Sequence, residues 1–70
     1  MASQDEINRY ENALNAINMC LSIGTPAILD GWDAAAGMTR REKIKEDLQV
    51  IARCDDPRIR SRARDYLGRL

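Results

Sequence analysis

The side chains that could do chemistry are few, and their types point to recognition more than to catalysis. The chain has no histidine and two cysteines, Cys20 and Cys54, whereas a tetrahedral zinc site wants four Cys or His ligands. It has no Gly-rich phosphate loop, no GxSxG turn and no carboxylate pair whose spacing suggests acid and base roles. A reactive thiol needs an electropositive, exposed setting, and only Cys54, beside Arg53, comes near one. The expectation is a non-enzyme with no catalytic residues, no metal and no cofactor.

What the chain has in excess is arginine. Arg40 and Arg41 stand with Lys43 and Lys45 at the start of one helical pattern, and Arg58, Arg60, Arg62, Arg64 and Arg69 run through another. A helix N-terminus carries positive partial charge, so Arg40 and Arg41 gain nothing from the helix they begin. Arg58, Arg62 and Arg69 share one edge of the apolar stripe of the last helix, Arg60 and Arg64 the other, and only Asp65 lies beside the first ridge. Guanidinium groups bordering an apolar strip cover it with their stems and offer forked donors to carboxylates or phosphates. The bland reading is a solvated face. The functional one is that Arg40, Arg41, Arg58, Arg62 and Arg69 meet an acidic surface on another protein.

Trp32, the only tryptophan, sits between Asp30 and Gly31 on one side and Asp33 on the other. Core filling is the commoner use of a tryptophan in a chain without phenylalanine. The alternative is a binding anchor, since a large rigid ring makes a good hot spot, and Trp32 then joins the partner-binding set.

These residues must be positioned by a very small fold. Seventy residues allow one domain, residues 1–70, and a core that rarely supplies more than about 3 to 5 kcal/mol without disulfides, metal or a second subunit. The cysteines fall in apolar helical stretches and no secretory leader is visible, which suggests free thiols and a cytoplasmic setting. No apolar run reaches membrane-spanning length. Net charge is zero, but residues 1–38 sum to −4 and residues 39–70 to +4. Such polarity could join two halves of one fold, join subunits, or steer a charged partner.

Helix signals recur along the chain and strand signals do not. Ser3 to Glu6 and Thr39 to Glu42 are capping boxes. Gly24 and Pro26 stop the first helix, Thr25-Pro26 starts a second, Gly37 ends it, and Asp56-Pro57 opens the last. The pattern predicts an all-α domain of about four helices, near 4–23, 26–36, 40–54 and 57–68, with no sheet. Helices 3 and 4 should form a hairpin or a kinked pair.

The long first helix carries two apolar faces. Ile7, Tyr10, Leu14, Ile17 and Leu21 follow a 3-4-3-4 spacing, while Ala16, Met19 and Ile23 fall on nearly the opposite side. Three short companions in the same chain leave one face to cover. The expectation is a homodimer with Ile7, Tyr10, Leu14, Ile17 and Leu21 at its interface. The alternative buries both faces within the monomer.

The stretch Asp33-Ala34-Ala35-Ala36-Gly37-Met38-Thr39-Arg40-Arg41 resembles the turn of bacterial helix-turn-helix proteins. There a small-residue helix, a glycine and an apolar residue precede a recognition helix. The resemblance covers nine of seventy residues and implies nucleic-acid binding by residues 33–48. Asp33 stands where the motif wants a small residue, and Lys43 and Glu46 where it wants apolar ones, so no recognition residues carry over. Zero net charge also serves phosphate neutralisation poorly. The leading expectation is therefore a protein-binding regulator, an inhibitor, anti-activator or adaptor of the kind found among bacterial and phage accessory proteins. Nucleic-acid binding is the alternative.

Overall fold

The computed structural model describes residues 3–23 and 26–70. It is a small all-α domain with one minimal hairpin. In chain order the elements are α1 (Gln4–Ile23), α2 (Pro26–Leu29), β1 (Trp32–Asp33), β2 (Met38–Thr39), α3 (Arg40–Ile51) and α4 (Pro57–Arg69). No helix among the described residues is long and apolar enough to cross a membrane.

Local chemistry sets most boundaries. Ser3 Oγ accepts from the Glu6 amide at 3.2 Å, opening α1, while the Glu6 carboxylate takes the Tyr10 hydroxyl one turn on. Thr39 Oγ1 caps α3 by accepting from the Glu42 amide. Asp56 Oδ1 accepts from the amides of Arg58 and Ile59 and caps α4, with Pro57 in the first turn. These caps satisfy amides that have no intrahelical acceptor. The α3 end departs from the predicted Cys54. Regular helix stops at Ile51, and i→i+3 bonds from the amides of Arg53 and Cys54 tighten the final turn. The stop signals placed on Gly24 and Thr25 lie outside the described residues.

Between Asp30 and Thr39 the chain departs from the expected second helix to residue 36 and from the expected absence of sheet. Helix α2 ends at Leu29, and β1 pairs antiparallel with β2, Trp32 opposite Thr39 and Asp33 opposite Met38. The cause is Asp33. Its carboxylate accepts from the Ala35 and Ala36 amides, and its carbonyl accepts from Gly37 N–H at 2.8 Å. The three alanines thus spend their helical preference on one turn, which Gly37 closes at φ +70°, a conformation costly for any residue with a Cβ.

The core is built by α1, α3 and α4. Leu14, Ile17, Leu29, Ile44, Leu48, Ile51, Cys54, Ile59, Ala63 and Tyr66 are buried together, with no buried polar side chain among the described residues. Helix α4 packs against both α1 and α3. A 20-residue helix is about 30 Å long, so α1 runs most of the 36 Å long dimension.

That packing decides where the 3-4-3-4 stripe of α1 goes. Leu14 and Ile17 are buried in the single chain, and Ile7, Tyr10 and Leu21 are half-buried against the same core. Of the stripe expected between two chains, Leu14 and Ile17 are buried within one, while Ile7, Tyr10 and Leu21 keep part of their surface exposed. The opposite face of α1 is left outward, with Met19 65% and Ile23 70% exposed.

Candidate protein-binding surface

The hairpin holds Trp32 out of the core. After α2 the chain turns at Gly31, where an added Cβ would lie 3.3 Å from the carbonyl oxygens of Ala27 and Ile28, a tight approach suited to glycine. The Arg40 amide donates to the Gly31 carbonyl at 2.9 Å and closes the base of the hairpin. Between that bond and the Asp33 turn, Trp32 stands 70% exposed. The commoner use of tryptophan, core filling, is not the one found here. Leu14 and Leu48 fill the centre instead.

The charges around Trp32 are not balanced. Asp30 Oδ1 accepts from Arg41 Nε at 3.0 Å, and the Asp33 carboxylate is committed to the amides of its own turn. Arg40 is exposed, and no carboxylate lies within 4 Å of its guanidinium among the described residues. Its backbone is bonded to the residue before Trp32. An exposed indole and an uncompensated cation therefore leave the chain at neighbouring positions.

The ridge on α4 is arranged differently. Arg62 Nη2 donates to Asn15 Oδ1 and to the Tyr66 hydroxyl, each at 3.0 Å. Arg69 pairs with Asp65 at 3.1 Å. The two guanidinium carbons lie 5.6 and 5.3 Å from the centroid of the buried Tyr66 ring, within cation–π range. Arg58 is exposed and only loosely placed, with Nε 3.9 Å from the Asp56 carboxylate that already caps α4. Of the five arginines expected at a partner, Arg41, Arg62 and Arg69 have internal partners, whereas Arg40 and Arg58 project into solvent. The structure does not gather the five into one cluster around Trp32.

No protein-family model, curated protein or solved structure matches this chain.

The helix-turn-helix resemblance meets a different geometry. Asp33 ends β1 and residues 34–36, which should end its first helix, form the hairpin turn, so α2, which stops at Leu29, does not lead into that turn as a helix. The unengaged cations on α4 are Arg60 and Arg64, on the edge away from Arg62; neither has a carboxylate within 4 Å among the described residues.

Sequence reasoning missed the long-range partners of the arginines. Asn15 lies 47 residues from Arg62 and Asp30 lies 11 from Arg41, beyond any i,i+4 rule. The opposite charge of the two halves was the available signal, and the Arg41–Asp30 bridge is one place where it is used.

Proposed function

We propose that the chain is a small non-enzymatic protein-binding regulator that acts by occupying a surface of a larger protein. Trp32 serves as its anchor and Arg40 as the neighbouring charge. The observation that carries this reading is the 70% exposure of the only tryptophan on a hairpin closed by its own hydrogen bonds. An indole left in water forgoes on the order of 2 to 3 kcal/mol of burial, and the core does not use it. The matching partner surface has an apolar pocket with a carboxylate at its rim. The acidic side of that partner follows from Arg40 and Arg58, whose charge the chain's own carboxylates do not cancel or cancel only loosely. Inhibitor, anti-activator and adaptor are the roles that suit a chain with one small epitope.

The test is capture from a bacterial lysate by immobilised wild-type chain and by Trp32→Ala, with and without nuclease. A protein retained by the wild type through nuclease treatment should be lost with Trp32→Ala, because a hot-spot residue is worth at least about 2 kcal/mol, or about thirtyfold. Arg40→Glu should weaken the same interaction without lowering the melting temperature, since an acid is favoured over a cation in the first turn of α3. Retention that vanishes with nuclease would favour the nucleic-acid alternative, and equal capture by Trp32→Ala would remove Trp32 from the site.

A further inference from the structure

The outward face of α1 offers a second surface, and its residues say what fits it. From Asn12 to Leu29 the sequence runs eighteen residues without a charged side chain. Within that stretch Asn12, Ala16, Met19 and Ile23 are all exposed. At about 100° per residue they fall within an arc of about 60°, opposite the buried Leu14–Ile17 stripe. Every charge of α1 lies earlier, at Asp5, Glu6, Arg9 and Glu11, and sums to −2. A charged patch of one sign repels its own copy; an uncharged stripe does not.

We propose that this chain self-associates through the α1 outer face, two copies packing antiparallel with Ala16 against the partner's Met19 and Asn12 against the partner's Ile23. The spacing supports the register. Asn12, Ala16, Met19 and Ile23 are separated by four, three and four residues, a pattern that reads the same in both directions. A twofold axis between Ile17 and Asn18 therefore makes each contact reciprocal, as an isologous interface requires, and in this sequence it sets each small or polar residue opposite a large one. Ala16 is the hole and Met19 the knob.

Charge selects the antiparallel arrangement over the parallel one. Parallel packing sets the two net −2 helix starts side by side. Antiparallel packing separates them by most of a helix length of about 30 Å, well past a Debye length of about 8 Å at physiological salt. The stripe is about 17 Å long and one helix wide, smaller than the roughly 800 Å² per partner of a standard stable interface. The association is accordingly weak and concentration-dependent, and it leaves Trp32 free for a different protein.

Sedimentation equilibrium of the full chain from about 10 µM to about 1 mM tests the proposal. The expected result is a monomer–dimer equilibrium within that range, weakened at least tenfold by Met19→Lys or Ile23→Lys and unchanged by Trp32→Ala. Far-UV circular dichroism at the lowest concentration should show the lysine variants folded, since both sites are exposed. Oxidative cross-linking in a Cys20→Ser background reads the register. Asn12→Cys mixed with Ile23→Cys should cross-link, whereas Asn12→Cys alone should not, because its two copies would stand about 16 Å apart along the axis. A monomer throughout the range, a dimer that survives both lysine variants, or a dimer lost with Trp32→Ala would overturn the interface. Self-cross-linking of Asn12→Cys would overturn the antiparallel register. None of these results depends on whether the hairpin binds a partner.

Discussion

Replacing Leu14 by alanine tests the placement of the α1 stripe inside a single chain. Leu14 is fully buried, with 0% of its surface exposed, and sits on the α1 face that packs against the core of α3 and α4. Leu→Ala at well-packed sites costs about 2.7 to 5 kcal/mol, from lost transfer energy plus the cavity left behind. A chain of this length has about 3.5 to 10 kcal/mol of stability in all. The loss is therefore about a quarter of the total or more. Taking about 3 kcal/mol and about 4 to 8 °C per kcal/mol for a small domain, the Tm should fall by about 12 to 24 °C. Urea unfolding followed by far-UV circular dichroism would be run over about a hundredfold range of protein concentration. A residue in the monomer core loses the same free energy at every concentration, whereas one in a seam between chains loses stability that depends on concentration. A cost below about 1 kcal/mol, or one that grows with concentration, would refute the assignment of Leu14 to the single-chain core.

Two further outcomes follow from local geometry. Asp56→Ala removes the acceptor for the amides of Arg58 and Ile59 and should cost about 1 kcal/mol, lowering the Tm by about 4 to 8 °C; an unchanged Tm would mean that water replaces the cap without loss. The phenol of Tyr10 is held above its ordinary value by the hydrogen bond to Glu6, by burial, and by the Glu6 charge. A raised folded-state pKa favours the neutral phenol, so this contribution to stability is fully present below about pH 10 and lost as pH rises through the folded value. Phenolate absorbance should show Tyr10 ionising late, and Glu6→Ala should bring it back toward the ordinary range.

Helix ends were legible wherever a side chain caps its own backbone. Ser3, Thr39 and Asp56 each satisfy amides two or three residues away, and that information is complete within a tetrapeptide. The starts of α1, α3 and α4 could be read for that reason. The segment from Asp30 to Thr39 failed because two local preferences compete there. Alanines at 34 to 36 favour helix, but Asp33 favours hydrogen bonds to its own downstream amides, and Gly37 permits a left-handed closure. The antiparallel pairing of Trp32 with Thr39 then stabilises the turn, a contact no helical window contains. The arginines show the same limit at longer range. Their number and spacing gave an excess, but whether each is idle depends on Asn15, Tyr66 and Asp30 arriving by folding.

The distribution of apolar side chains separates the residues that build the core from a second set that the core leaves exposed. Helices α1, α3 and α4 close a core of buried side chains without Met19, Ile23, Ile28, Trp32 or Val50, all of which remain exposed. Each of these forgoes part of the roughly 1.5 to 3 kcal/mol that complete burial would contribute and that a small domain with a thin margin could use. Their retention outside the core follows from geometry: Met19 and Ile23 point away from α3 and α4 because Leu14 and Ile17 point toward them, and Trp32 is held off by the hairpin that Asp33 and Gly37 close. A polar replacement at these positions should leave the monomer's melting nearly unchanged, since an exposed side chain touches little of the folded core. The same replacement removes the apolar area that any association would bury. Damage to stability and damage to binding should therefore map to opposite faces of α1, with Leu14 and Ile17 on the first and Met19 and Ile23 on the second.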